Sequence, residues 1–168
     1  MHPEPIQPMG GDDGIVIRRG TSPEGAMRTA LSIPATNEGT RLAIKKIAGL
    51  VDRSTASGDD IDRMEIALAE ALNNIVEHAF ADREDGVIEM TIDAAPPGLH
   101  FVITDDGVPM PAGRLPGGHT ANPDRRAHEQ EEGGYGLHLI REVARKLRYE
   151  RVDDRNRLPF RIALGATR

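Results

Sequence analysis

Twenty residues, from about Ile61 to Phe80, carry the pattern that most restricts what this chain can become. At 100° per residue, Ile61, Met64, Leu68, Leu72, Ile75 and Ala79 gather on one face of a helix. Asp59 or Asp60 is placed to cap it, with acidic residues in the first turn. A helix that is apolar on one side must be covered by something flat and apolar. The rest of the sequence supplies it with period-two segments. Met27, Thr29, Leu31 and Ile33 alternate with polar or small residues until Pro34 stops the run. Ile88, Met90 and Ile92, then Leu99, Phe101 and Ile103, form two more alternating runs joined through Ala94 to Gly98, with Pro96-Pro97 between them. A last pair comprises Tyr149 to Val152, a turn at Asp153 to Asn156, and Leu158, Phe160, Ile162 and Leu164. Two further helices are expected. One follows a cap at Thr36 or Asn37 and carries Leu42, Ala43, Ile44, Ile47 and Leu50 to about Arg53. The other carries Leu137, Ile140, Val143, Ala144 and Leu147. The order βααββ-loop-αββ predicts an α+β fold, a two-layer α/β sandwich with helices on one face of a mixed, largely antiparallel sheet.

A length of 168 residues suits one such domain, expected over 26–168. Residues 1–25 are rich in Pro, Gly and Asp and read as a flexible arm, with only Ile15-Val16-Ile17 resembling a strand. The net charge of -6 and the 3% aromatic content argue against a surface for nucleic acid or anionic lipid. No run approaches the about 18 apolar residues of a membrane span. The opening Met1-His2-Pro3-Glu4-Pro5 does not read as a secretory signal. With no cysteine, disulfides, thiolate metal sites and cysteine nucleophiles are excluded, and a cytoplasmic location is expected.

Three polar constellations remain, each with an ordinary structural explanation when taken alone. Glu70, Asn74 and His78 lie four residues apart, so on a regular helix they form one stripe, roughly opposite the apolar face. A solvated face explains them, but the small neighbours Ala67, Ala69 and Ala71 leave space for something to lie there. A carboxylate can act as a base, an amide oxygen can bind Mg²⁺, and an imidazole can reach phosphate. Asp105-Asp106-Gly107-Val108-Pro109 follows an apolar strand; it suits a turn, but a carboxylate there can also accept a hydrogen bond from an exocyclic amine. Gly107 allows backbone or ligand to approach closely. Gly133-Gly134-x-Gly136-Leu137 opens a helix, where free N–H groups and the positive dipole end attract anions. Between the last two lies a long aperiodic segment, about 107–132. The phosphate-loop, G-x-S-x-G and H-E-x-x-H signatures are absent.

The order and spacing of the three together resemble the histidine-kinase-like ATPases, the GHKL or Bergerat fold. More narrowly, they resemble the bacterial anti-sigma factors that are also serine/threonine protein kinases. The similarity runs from about Met27 to Leu164, through Glu70 to Asn74 and His78 to Phe80, Asp105 to Pro109, Gly133 to Ile140, and the terminal hairpin. The resemblance implies that Asp105 bonds the adenine amino group and that Asn74 holds Mg²⁺. It further implies that Gly133, Gly134, Gly136 and Leu137 line the phosphate side with Gly107 nearby, and that His78 is a phosphate-side contact. The 107–132 segment would be the ATP lid, and Glu70 the general base for an incoming Ser or Thr hydroxyl. The implied partners are a sigma factor and a STAS-domain anti-anti-sigma protein, and a homodimer is expected. An alternative of a different class is a binding module that uses nucleotide only as a conformational ligand. Two departures from the resemblance stand out. Asp153-Asp154 occupies a turn where relatives have Asp-Gly, and Pro159 stands where many have Thr near Asp105. Since Pro cannot donate to a ladder, the final strand is expected to be an edge or distorted there.

Overall fold

The computed structural model describes residues 9–10, 13–115 and 134–165. The strands are β1 (Met9–Gly10), β2 (Val16–Thr21), β3 (Met27–Pro34), β4 (Val87–Ala95), β5 (Gly98–Asp105), β6 (Glu150–Val152) and β7 (Arg155–Ala163). They form one sheet in the order β1-β2-β3-β4-β5-β7-β6. Helices α1 (Asn37–Leu50), α2 (Gly58–Asn74) and α3 (Gly134–Val143) complete the fold. The α+β two-layer reading therefore stands, with one correction: every described strand pair is antiparallel, so the sheet is not mixed.

The core lies between the sheet and the helices. Leu31, Ile33, Ile88, Met90, Phe101, Ile103, Phe160 and Ile162 are buried, against Ile61, Met64, Leu68, Leu72 and Ile140. Phe101 and Phe160, directly opposite in register, stack with ring centroids 5.1 Å apart. Ala67 and Ala71, expected to leave room for a ligand, are instead buried, and α2 packs against α3. Their small side chains allow close approach of packed elements.

The arm expected over 1–25 is also shortened. β2 pairs with β3 across six residues, from Val16↔Ser32 to Thr21↔Met27, and Ile15 is buried. Lys46 on α1 binds Asp13 at 2.9 Å. The segment Arg18-Arg19-Gly20-Thr21 lacks an apolar alternation, because its backbone pairing to β3, and not side-chain burial, holds it.

Thr36 caps α1 as expected. The cap of α2 is Ser57, and Asp60 is its capping-box partner instead of the cap. Asp60 is buried, accepting from Ser57 N at 2.9 Å, Gly165 N at 2.9 Å and Arg63 Nη2 at 2.5 Å. The backbone donors of Ser57 and Gly165 lead in holding its carboxyl down to about 2. A carboxyl depressed on folding stabilises above its unfolded pKa and loses that contribution as pH falls through the folded value. The contribution of Asp60, about 2 kcal/mol, should vanish between about pH 4 and pH 2. Urea unfolding at several pH values should show that part of the acid sensitivity missing from Asp60→Asn.

The β6–β7 turn is Asp153-Asp154, with φ of 50° and 59°. Two positive φ values in a two-residue hairpin define a type I′ turn, which favours glycine. The departure from Asp-Gly thus keeps the turn but places a Cβ in the left-handed region. Asp154→Gly should stabilise the fold by about 0.5–1 kcal/mol, less than the full left-handed penalty because glycine also loosens the unfolded chain. A rise in the denaturation midpoint would check it.

Candidate functional site

β5 alternates Leu99, Phe101 and Ile103 toward the core, and Asp105 is the next residue of that series. Its carboxylate is therefore carried inward, to 2% exposure. Oδ1 accepts from Gly107 N at 2.9 Å and from Asn156 Nδ2 at 2.7 Å. Oδ2 has no partner among the described residues. Burial pushes the Asp105 carboxyl up, opposed by the donors from Asn156 and Gly107. One oxygen is thus fixed by Asn156 and Gly107, and the other carries no bond from the described residues.

Gly107 is seated against the end of the helical segment after α2. A Cβ there would lie 2.4 Å from Ala79 O and 2.7 Å from Ala79 Cβ, and Val108 N donates to Ala79 O at 2.9 Å. The close approach expected at Gly107 is made by backbone. It couples the Asp105 turn to the segment carrying the polar stripe.

That stripe is not one continuous α-helix. α2 ends at Asn74, and Ile75–Ala79 forms a π turn, with Phe80 N donating to Ile75 O at 3.1 Å. Each residue of a π turn advances less than 100°, so His78 falls behind the line through Glu70 and Asn74. His78 is exposed, whereas Glu70 and Asn74 are half-buried. Asn74 Nδ2 donates to Glu70 O at 2.8 Å, which turns the amide oxygen away from the helix backbone. That oxygen and the Glu70 carboxylate have no partner among the described residues. A neutral amide oxygen suits Mg²⁺, which keeps several waters and takes other ligands from phosphates. Among the described residues no group of three or more carboxylate or imidazole side chains could form a metal cage.

Gly134 opens α3 and Gly136 lies in its first turn, while Leu137 is buried in the core. Gly133 lies outside the described residues, as does the expected lid beyond Leu115.

The closing hairpin contributes a group that pattern reading left without a role. Asn156 lies opposite Asp105 in register, whereas Pro159 lies opposite Val102. The position facing Asp105 is therefore Asn156, not Pro159. Pro159 sits beyond the three residues of β7 that pair with β6, and its carbonyl accepts from Arg148 N at 3.1 Å. Its missing N–H falls on that outer side, so the strand has an edge there. Asn156 Oδ1 accepts from Tyr149 Oη at 2.6 Å and Arg151 Nη1 at 2.7 Å, and Tyr149 Oη accepts from Met110 N at 3.0 Å. A signal for Asn156 exists in the sequence. It continues the inward series Ile162, Phe160, Leu158 by two residues, so it is a buried amide that must find partners.

A buried carboxylate with one oxygen bound by the protein, set on a turn that packs against the segment continuing the helix of Glu70 and Asn74, is an arrangement suited to a nucleotide. The model of the histidine kinase-like ATPase domain matches residues 33–162, and the chain belongs to this family. ATP binding comes with that membership. Within the family the chain is similar to the serine-protein kinase RsbW of several bacteria. It is 32% identical to that of Bacillus cereus over 114 residues, covering 66% of this chain and 69% of the relative. It is 29% identical to that of Halalkalibacterium halodurans, covering 70% and 72%, and 27% identical to that of Oceanobacillus iheyensis, covering 66% and 70%. No helix among the described residues is long and apolar enough to cross a membrane.

Proposed function

We propose that this protein is an ATP-dependent serine/threonine kinase and anti-sigma factor. In one state it binds a sigma factor, and in another it phosphorylates a STAS-domain anti-anti-sigma protein. The observation that carries the reading is the seating of the Asp105–Gly107 turn on the end of the segment that bears Glu70 and Asn74. Family membership and the similarity to kinases named RsbW support it further.

In this reading Asp105 Oδ2 accepts from the adenine amino group. Asn74 Oδ1 holds Mg²⁺, which neutralises phosphate charge when bound. The backbone at Gly133, Gly134, Gly136 and Leu137 receives the phosphates at the start of α3, Gly107 keeps the adenine side open, and His78 is a peripheral phosphate contact. Glu70 takes the proton of the attacking hydroxyl. Phosphoryl transfer asks mainly for positioning and charge neutralisation, so this set suffices. A cytoplasmic location and a homodimer belong to the same proposal.

The test is incubation of the full chain with labelled ATP, Mg²⁺ and its cognate STAS protein. Label on one serine or threonine of the STAS protein is expected. Its absence, together with undiminished binding of the unmodified STAS protein, would leave only a nucleotide-responsive binding module.

A further inference from the structure

The orientation of the Asn156 carboxamide is fixed by its neighbours. Arg151 can only donate, so its Nη1, 2.7 Å away, must face the amide oxygen. The carbonyls of Gly107 and Val108, at 3.3 and 3.1 Å, can only accept, so they face the amide nitrogen. With that orientation set, each hydrogen bond points the same way. Met110 N donates to Tyr149 Oη, Tyr149 Oη–H donates to Asn156 Oδ1, and Asn156 Nδ2 donates to Asp105 Oδ1. Such a chain polarises along its length and ends on the carboxylate.

The effect on Asp105 is specific. An anionic Asp105 presents a pure acceptor at Oδ2, which suits the amino group of adenine. A protonated one presents a donor, which suits the carbonyl oxygen that guanine carries at the same position. Burial favours protonation, and the donors from Asn156 and Gly107 oppose it. The charged groups facing Asp105 are Asp106, which favours protonation, and Arg151 on β6, which opposes it. Arg83 partly offsets Asp106 at 3.4 Å.

We propose that Asn156 is a positioning residue that sets base preference: its amide nitrogen holds Asp105 anionic with Oδ2 outward, so that the site takes adenine in preference to guanine. Tyr149 supports it by joining that amide to the chain at Met110. The inference deepens the reading of Asp105 as the purine contact and rests on it.

The experiment is calorimetric titration of the full chain with Mg-ADP and Mg-GDP at pH 6, 7 and 8.5. It compares wild type, Asn156→Asp, Tyr149→Phe and Asp105→Ala. Asn156→Asp faces two carboxylates across the strands, which raises the apparent pKa of the pair. Its ADP affinity relative to wild type should fall by about tenfold or more at pH 6, recover toward pH 8.5, and bring ADP and GDP closer together. Tyr149→Phe removes one hydrogen bond and leaves Arg151 on Asn156. It should weaken ADP by about fivefold at pH 6, by less at pH 8.5, and also narrow the preference. A pH-independent loss in Asn156→Asp, with the ADP-to-GDP ratio of wild type, would mean a merely structural role and overturn the proposal. If that variant does not fold, an unchanged ratio in Tyr149→Phe overturns it equally. ADP binding by Asp105→Ala as tight as wild type would instead overturn the underlying assignment of Asp105.

Discussion

Asp105→Ala should abolish the stabilisation that ADP confers on this protein. At about 100 times its Kd a ligand stabilises the native state by roughly 2.7 kcal/mol. For a domain of this size that is a melting shift of roughly 5–10 °C, which should shrink to nothing in the variant. The size of the effect follows from geometry. The carboxylate is buried and one oxygen is committed to Gly107 and Asn156, so in the proposed reading a purine amine has only the other to meet. Without it the amine would be desolvated and unpaired, a penalty of about 1–3 kcal/mol added to the lost charge-assisted bond. Asp105→Asn separates recognition from folding. Its oxygen can still accept from Gly107 and Asn156, while its NH₂ confronts the amine donor to donor. The unliganded melting temperature should move little and the ADP shift should still disappear. A full shift in either variant would remove Asp105 from the nucleotide site.

Glu70→Gln should leave the ADP shift intact and lower phosphoryl transfer to the STAS partner by about 10²–10⁴-fold. Glu70 occupies the last turn of α2 with Asn74, and the two are tied by the Asn74 Nδ2 to Glu70 O bond of 2.8 Å. That bond uses the Glu70 backbone, not its carboxylate, so the substitution leaves the Asn74 amide in place. Gln keeps the volume and polarity but cannot take a proton. A single-turnover assay with saturating ATP reads the chemical step directly. Transfer at the wild-type rate would show that the hydroxyl proton leaves by another route.

Where side-chain period decides the outcome, the architecture was legible. The apolar faces of α2, β4, β5 and β7 could be read from period, because burial of one face is what fixes them; on β3 Leu31 and Ile33 are buried but Met27, at the strand's end, is exposed. β2 was missed beyond Val16 and Ile17 because backbone pairing to β3 holds it, and backbone pairing has no composition. The π turn after Asn74 was equally silent. Ile75-Val76-Glu77-His78-Ala79 is compatible with an α-helix, and its widening accompanies the contacts that Gly107 and Val108 make with Ala79. For the candidate site, the turn at Asp105 and the close approach at Gly107 could be read from a short motif, and the nearness of Asn74 to Glu70 from their spacing. Asn156 demanded a different question, namely what a buried amide at the end of an apolar series is bonded to.

The fit of Gly107 against Ala79 also has a mechanical side. The bond from Val108 N to Ala79 O and the lack of room for even one methyl group make the two segments a single strut. A displacement imposed at the Asp105 turn would thereby reach the π turn beside Asn74 through a main-chain contact.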